Sequence, residues 1–209
     1  MNIKYLIIIL IVLAWTKGIS QNKNRDVIDT PLSIFIETEK RFTGGEINDK
    51  SVYSLSEDFE IISFIRKDNN IPNLDLIVRY VFSKTDSLVK VIRYELDIVN
   101  FDKTNRKQDK QFRKALATHY LNIEKSLTDE LGNGSISGEL TEKTPIDEKE
   151  YFYKTNCWTI GETRIDLLIE MSNSYGLKKL TEKPIHKVQI TYSASMNNKA
   201  KTEYIGRKN

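Results

Sequence analysis

The stretch NLDLIVRYVFSKTDSLVKVIRYELDIVN, residues 73–100, constrains the fold more than any other. Successive side chains of a strand point to opposite faces, so apolar–polar alternation marks half-buried β-structure. Leu76, Val78, Tyr80 and Phe82 share one face of the first arm. Leu88, Ile92, Tyr94, Leu96 and Ile98 share one face of the second, with Lys90 the exception. Lys84 to Ser87 supplies turn chemistry between the arms. Arg93, Glu95 and Asp97 take the opposite face of the second arm. The expectation is an antiparallel hairpin with one packed face and one wet face.

The period then changes. From Asn105 to Leu131, Phe112, Leu116, Tyr120, Ile123, Leu127 and Leu131 recur at steps of three and four. That spacing lays a single apolar stripe along a helix, and Gly132-Asn133-Gly134 ends it with residues that accept positive φ. Ser135 to Glu150 reads as a polar connector with an acidic bias. Two more strands, KEYFYKTNCWTI and TRIDLLIEMS, meet at Gly161-Glu162, a glycine-first pair that suits a type II′ turn. A longer loop, residues 173–184, leads to a third strand, IHKVQITYSA, with Val188, Ile190 and Tyr192 on one face.

Near the front, Thr30-Pro31 reads as a helix start. Leu32, Phe35, Ile36 and Phe42 follow at nearly helical spacing, and Gly44-Gly45 stops them. The FEIISFI run inside residues 51–67 leans toward a strand, although periodicity alone does not assign it. Strands grouped around a helix, without βαβ alternation, indicate an α+β fold with an antiparallel sheet. The expected architecture is about five strands, a hairpin plus a three-strand meander, packed against one long amphipathic helix with a short N-terminal helix.

The chain opens with MNIKYLIIILIVLAWTKGISQN. Its apolar run, Tyr5 to Trp15, would span about 16 Å as a helix, roughly half of a ~30 Å hydrocarbon core. Lys4 forms a short positive region ahead of it, and Gly18-Ile19-Ser20 is a small-x-small triplet behind it. Together they read as a secretory signal peptide cleaved between Ser20 and Gln21. The expected organisation is a leader at 1–20, a flexible lead-in at 21–29, a single α+β domain at 30–196 and a polar C-terminal tail at 197–209. The expected location is the periplasm or the outside of a bacterial cell, with membrane contact only transiently through the leader. Lys4 and Lys17 leave with the leader, so the formal charge falls from +3 to +1. A nearly neutral chain points away from nucleic acid as a partner. The sole cysteine, Cys157, cannot form an intramolecular disulfide, so an ordinary hydrophobic core must hold the fold. Cys157 itself reads as a small buried residue beside Trp158.

Chemical motifs are sparse. Phosphate loops, dinucleotide fingerprints, His-Glu-x-x-His, Gly-x-Ser-x-Gly and Asp-x-Asp-x-Asp-Gly are absent from the sequence. One Cys and two His give almost no pool for a zinc site, so neither metal nor cofactor is expected. Glu139, Glu142, Asp147, Glu148 and Glu150 read as a solvated acidic loop. Asn133-Gly134-Ser135 matches a glycosylation sequon, but turn chemistry explains it. His119 and His186 are the only groups placed to titrate near neutral pH. His119 borders the helix stripe and His186 shares a face with Val188 and Ile190. Looking into one cavity with Glu95, Cys157 or Ser193, they would make a hydrolytic site. As two satisfied structural histidines they would make none, and the sequence favours that. Arg106, Lys107, Lys110, Arg113, Lys114 and Lys125 outnumber Asp109 and Glu124 along the long helix, as the solvated face of a half-buried helix does. Tyr151, Phe152, Tyr153, Trp158, Tyr175 and Tyr192 suit strand and core filling. The function expected is that of an exported, non-enzymatic binding protein for another protein or a small ligand, of which an immunity-type protein is one version. The alternative is an envelope hydrolase using His119 or His186.

Overall fold

Leu32–Glu39 forms the first helix, α1. Its lead-in pairs with Leu88 and Val89. The Asp29 N–H donates to the Val89 carbonyl, and the Val89 N–H donates to the Thr30 carbonyl. Pro31, with extended backbone at φ −57° and ψ 134°, is the capping residue and forms an isolated bridge to Leu88. A computed structural model of the chain describes residues 28–42, 44–47, 58–71, 74–101, 106–140, 151–174 and 183–194. The expected leader, the cleavage expected between Ser20 and Gln21, and the acidic residues Glu142 to Glu150 lie outside them.

Eight strands follow α1: β1 (Gly44–Ile47), β2 (Phe59–Ile71), β3 (Leu74–Ser83), β4 (Val89–Asp97), β5 (Ser135–Gly138), β6 (Tyr151–Ile160), β7 (Thr163–Ser172) and β8 (Ile185–Ala194). The long helix α2 (Lys110–Leu131) lies between β4 and β5 in sequence. All strands join one antiparallel sheet in the order β1-β2-β3-β4-β8-β7-β6-β5. The fold is thus α+β with an antiparallel sheet, but five strands understate it. The FEIISFI segment is a strand, as its run suggested. The additional edge strands, β1 and β5, are four residues each. Such short segments carry too little pattern to be read locally. The helix already ends at Glu39, with Lys40 as its C-cap, and Gly44-Gly45, expected to stop it, instead begins β1, while Ser135 begins β5 inside the polar connector. Short, exposed edges also limit strand-to-strand aggregation.

The order is a helix and four strands, twice. Each half runs α–β–β–β–β, and the two final strands, β4 and β8, pair antiparallel at the centre. Two-residue connections join β2 to β3 and β6 to β7. The sequence carries no repeat of fixed period, so this twofold likeness exists in topology alone.

Both helices cover one face of the sheet. Phe35 of α1 stacks on Tyr80 at 4.9 Å between ring centroids. Leu116 and Tyr120 of α2 are fully buried, and Phe112, Ala117, Ile123 and Leu127 join them, as the apolar stripe predicted. The helix starts at Lys110, five residues after the expected boundary, because the Asp109 carboxylate caps it by accepting from the Phe112 N–H at 2.8 Å. Gly132, at φ 81°, closes it. Each half also ties its helix to its second strand with a buried acid–base pair. Arg66 of β2 donates to both carboxylate oxygens of Glu39 at 2.5 and 2.9 Å, while the Tyr80 hydroxyl donates to the same carboxylate. Lys154 of β6 meets Glu124 of α2 at 2.7 Å. Asn156 donates to Glu124 and accepts from the Tyr120 hydroxyl, at 2.8 and 2.6 Å.

Two expectations about the hairpin change. Lys90 fits because the β3–β4 register shifts by one residue between Val81 and Phe82, which turns Val89 into the core in place of Leu88. A bulge re-aims side chains in this way. The face carrying Glu95 and Asp97 is not wet. Both are buried, because the chain leaves β4 in a single 3-10 turn, Ile98–Asn100. The Asn100 side chain donates to Glu95 at 2.7 Å, so the turn folds back over that face.

Candidate functional site

The helix-covered face is filled, so any binding surface of the sheet must be the opposite one. Strand register places its residues in rows. One runs Ser137–Thr155–Leu168–Gln189–Glu95–Ile77–Ile65, and the next Ser135–Cys157–Asp166–Thr191–Arg93–Arg79–Ser63. The alternation along β6 and β7 puts these side chains outward wherever Phe152, Asn156, Leu167 and Ile169 point inward.

The two halves of this face differ in chemistry. In the first half Ile61, Ile65, Val81 and Val91 are half-buried and Ile77 is buried. At its centre Arg79, only 2 % exposed, donates to Glu95 at 2.8 Å and to the Asn100 carboxamide oxygen at 3.4 Å. In the second half a groove of about 630 Å3 opens between the strands. Thr155, Leu168 and Gln189 form its floor, Ser135 and Ser137 its edge, and Tyr153 and Glu170 one flank. On the other flank Arg164 grips Asp166 through two bonds of 2.7 Å within one strand. The Asp166 carboxylate holds the Arg164 guanidinium more firmly protonated than usual.

Cys157 lines this groove, half-buried, on the face opposite Trp158. It is thus not packed beside that indole as the sequence suggested. Trp158 points to the helix side, where its indole N–H donates to the Gly132 carbonyl at 3.0 Å. Burial, and then the negative charge of Asp166, push the Cys157 thiol above its usual range. A thiol so held is a poor nucleophile at neutral pH.

The two histidines sit in different surroundings. His186 is fully buried beside Phe112 of α2, with ring centroids 6.0 Å apart. Its Nε2 lies 2.9 Å from the Asn173 carboxamide oxygen. Asn173 is oriented by Gln108, whose N–H donates to that oxygen at 2.8 Å and whose carbonyl accepts from the Asn173 amide at 2.9 Å. The oxygen therefore faces the histidine, so Nε2 carries the proton and Nδ1 is a bare acceptor. That Nδ1 is buried without a hydrogen-bond partner. Burial, and then the Arg113 charge, hold the ring pKa down to about 3. His119 is half-buried on α2, seven residues beyond Phe112, a rise of about 10 Å. Glu95 is committed to Arg79 and Asn100, on the other face of the sheet from His186. The structure therefore does not assemble His119, His186, Glu95, Cys157 and Ser193 into one constellation.

Among the described residues, no group of three or more His, Cys, Asp or Glu side chains is arranged to hold a metal ion. Nor is any described helix long and apolar enough to cross a membrane. Apart from Cys157 and Tyr153, the groove residues were missed by sequence reasoning. Each is an outward position on a strand, and only pairing β5, β6, β7 and β8 brings them together. No protein-family model, curated protein or solved structure matches the chain.

Proposed function

We propose that this chain is an exported, non-enzymatic binding protein of the bacterial cell envelope, which engages a partner protein across the helix-free face of its sheet. The observation that carries the reading is that face's composition. A half-buried apolar field of Ile61, Ile65, Val81 and Val91 adjoins a groove of mixed apolar and polar lining, floored by Thr155, Leu168 and Gln189. Protein interfaces combine an apolar patch, ordered polar groups and arginine in this manner. An immunity-type role, in which the face covers a toxin, is one form of the proposal. The export part rests on the leader at residues 1–20. Weighing against the hydrolase alternative is the sealed position of His186, since a general acid or base must reach its substrate.

Site-specific photo-crosslinking in the native envelope tests the reading. A crosslinker at Val81 or Leu168 should yield one discrete protein adduct, and the same group at exposed Thr118 on α2 should not. Equal labelling from both sides of the sheet would refute it. So would hydrolysis of an ester, peptide, glycoside or phosphoester that vanishes in His119→Gln or His186→Gln at unchanged melting temperature.

A further inference from the structure

The first half of the helix-free face holds positive charge in an apolar frame. Arg79 of β3 and Arg93 of β4 stand directly opposite each other, and like charges so placed repel. Glu95 shares the face and accepts from Arg79 at 2.8 Å. Arg79 is sealed, whereas Arg93 is half-buried, so an incoming molecule meets Arg93 first. Burial lowers the Arg93 pKa, and the Glu95 charge offsets that in part. A further negative group here would ease the repulsion between the two guanidiniums and favour the charged form of Arg93.

The neighbours of Arg93 define what such a group must be. Thr191 of β8 is its cross-strand partner. The Thr191 hydroxyl oxygen accepts from the Gln189 side-chain amide at 2.8 Å, which leaves the hydroxyl proton to donate. Beside this pair, Ile61, Val81 and Val91 form an apolar row across β2, β3 and β4, and all three are half-buried. The geometry points to Arg93, with the Thr191 hydroxyl beside it, as the docking point for an aspartate or glutamate side chain of a partner protein whose aliphatic neighbours cover Val81 and Val91. This rests on the protein-binding reading above and names the chemistry of the contact. Charge selects the occupant. A lysine or arginine would be repelled by two guanidiniums. A carboxamide would bring N–H groups against donors, and it lacks the charge that makes a guanidinium–carboxylate bond roughly twice as strong as a neutral one. A carboxylate only accepts, and it matches the guanidinium fork with two parallel bonds. The apolar row suits a residue set in a protein surface better than a free anion, which keeps its water.

The Arg93 side-chain Nε–H resonance, identified by its loss in Arg93→Gln, reports on the site. The mature chain is titrated with the blocked tripeptides Val-Asp-Val, Val-Asn-Val and Val-Lys-Val, and with inorganic phosphate. Val-Asp-Val should shift the resonance saturably at millimolar concentration, and high salt should weaken it. Val-Asn-Val should bind at least about tenfold more weakly, and Val-Lys-Val should leave the resonance in place. In the native envelope, Arg93→Gln should cut the adduct from a crosslinker at Val81 by about tenfold, the worth of one charge-assisted contact. It should not lower the melting temperature, because it removes a repulsion. Should that variant fail to fold, the titration of the unsubstituted chain decides alone. No shift with Val-Asp-Val, or equal binding of Val-Asn-Val, would overturn the inference. Phosphate binding as tightly as Val-Asp-Val would also overturn it, by marking a site for a free anion. If Val81 crosslinks a partner equally well in Arg93→Gln, the protein-binding reading stands and this inference falls. Val-Asp-Val binding at Arg93 with no adduct from Val81 or Leu168 would overturn the protein-binding reading and leave the carboxylate site in place.

Discussion

Two buried groups on this sheet should oppose each other as the pH falls, and separating them reports on both. His186 has a folded pKa of about 3 against an ordinary 6.5. A depressed folded pKa contributes stability that is fully present above the unfolded value and is lost as the pH drops toward the folded one. At pH 5 the unfolded ring is almost wholly protonated and the folded ring is not, so about 2 kcal/mol has gone relative to pH 8. Asp97 behaves oppositely. Burial, partly offset by the Val99 N–H it accepts, lifts its pKa from 3.8 to about 6. Its charged form destabilises the fold above pH 6, and protonation at pH 5 returns about 1 kcal/mol. For these two groups the wild-type protein therefore loses only about 1 kcal/mol between pH 8 and pH 5. Asp97→Asn keeps an oxygen for the Val99 N–H and removes the titration. His186→Gln keeps a donor for Asn173 and removes the other. Urea unfolding at both pH values, read as variant minus wild type, cancels every other titrating group. The Asp97→Asn difference should fall by about 1 kcal/mol on going to pH 5, and the His186→Gln difference should rise by about 2. Differences that are the same at both pH values would refute the placement of these groups as buried and perturbed.

Ile123→Ala should destabilise the protein by ~2–5 kcal/mol through the cavity it leaves under α2. Lys114→Ala, on the exposed side, should scarcely move the melting temperature, and equal effects would mean that the packed face is wrongly assigned. Lys154→Met should cost ~1–3 kcal/mol by removing the cation from the half-buried Glu124 carboxylate, to which Asn156 still donates. Adding Glu124→Gln should recover part of that loss, as a denaturation double-mutant cycle would show. Protein recovered from the periplasm or medium should have an intact mass corresponding to a start at Gln21. A species still carrying residues 1–20 in the membrane would refute export with cleavage.

The strands and helix that alternate strongly were legible because each carries its own period. Tyr80, Ile92 and Tyr192 declare their faces within their own segments, and so do Leu116 and Ile123 on α2. Local pattern thus determined the α+β class and the antiparallel sheet, together with the packed faces of the helix and of most strands. It failed where the deciding partner lies far along the chain. Gly44–Ile47 and Ser135–Gly138 become strands only because β2 and β6 offer them an edge. Glu95 and Asp97 read as solvent-facing until the turn at Ile98–Asn100 folds over them. Cys157 looked like a neighbour of Trp158 because the two are adjacent in sequence, yet adjacent residues of a strand face opposite ways. The groove is the extreme case. Ser135, Thr155, Leu168 and Gln189 come from four strands, and no periodicity records which strands will be neighbours. Alternation specifies which side of a strand is buried, whereas strand order and register are set by the packing of the whole sheet against its helices, and they decide what the other side becomes.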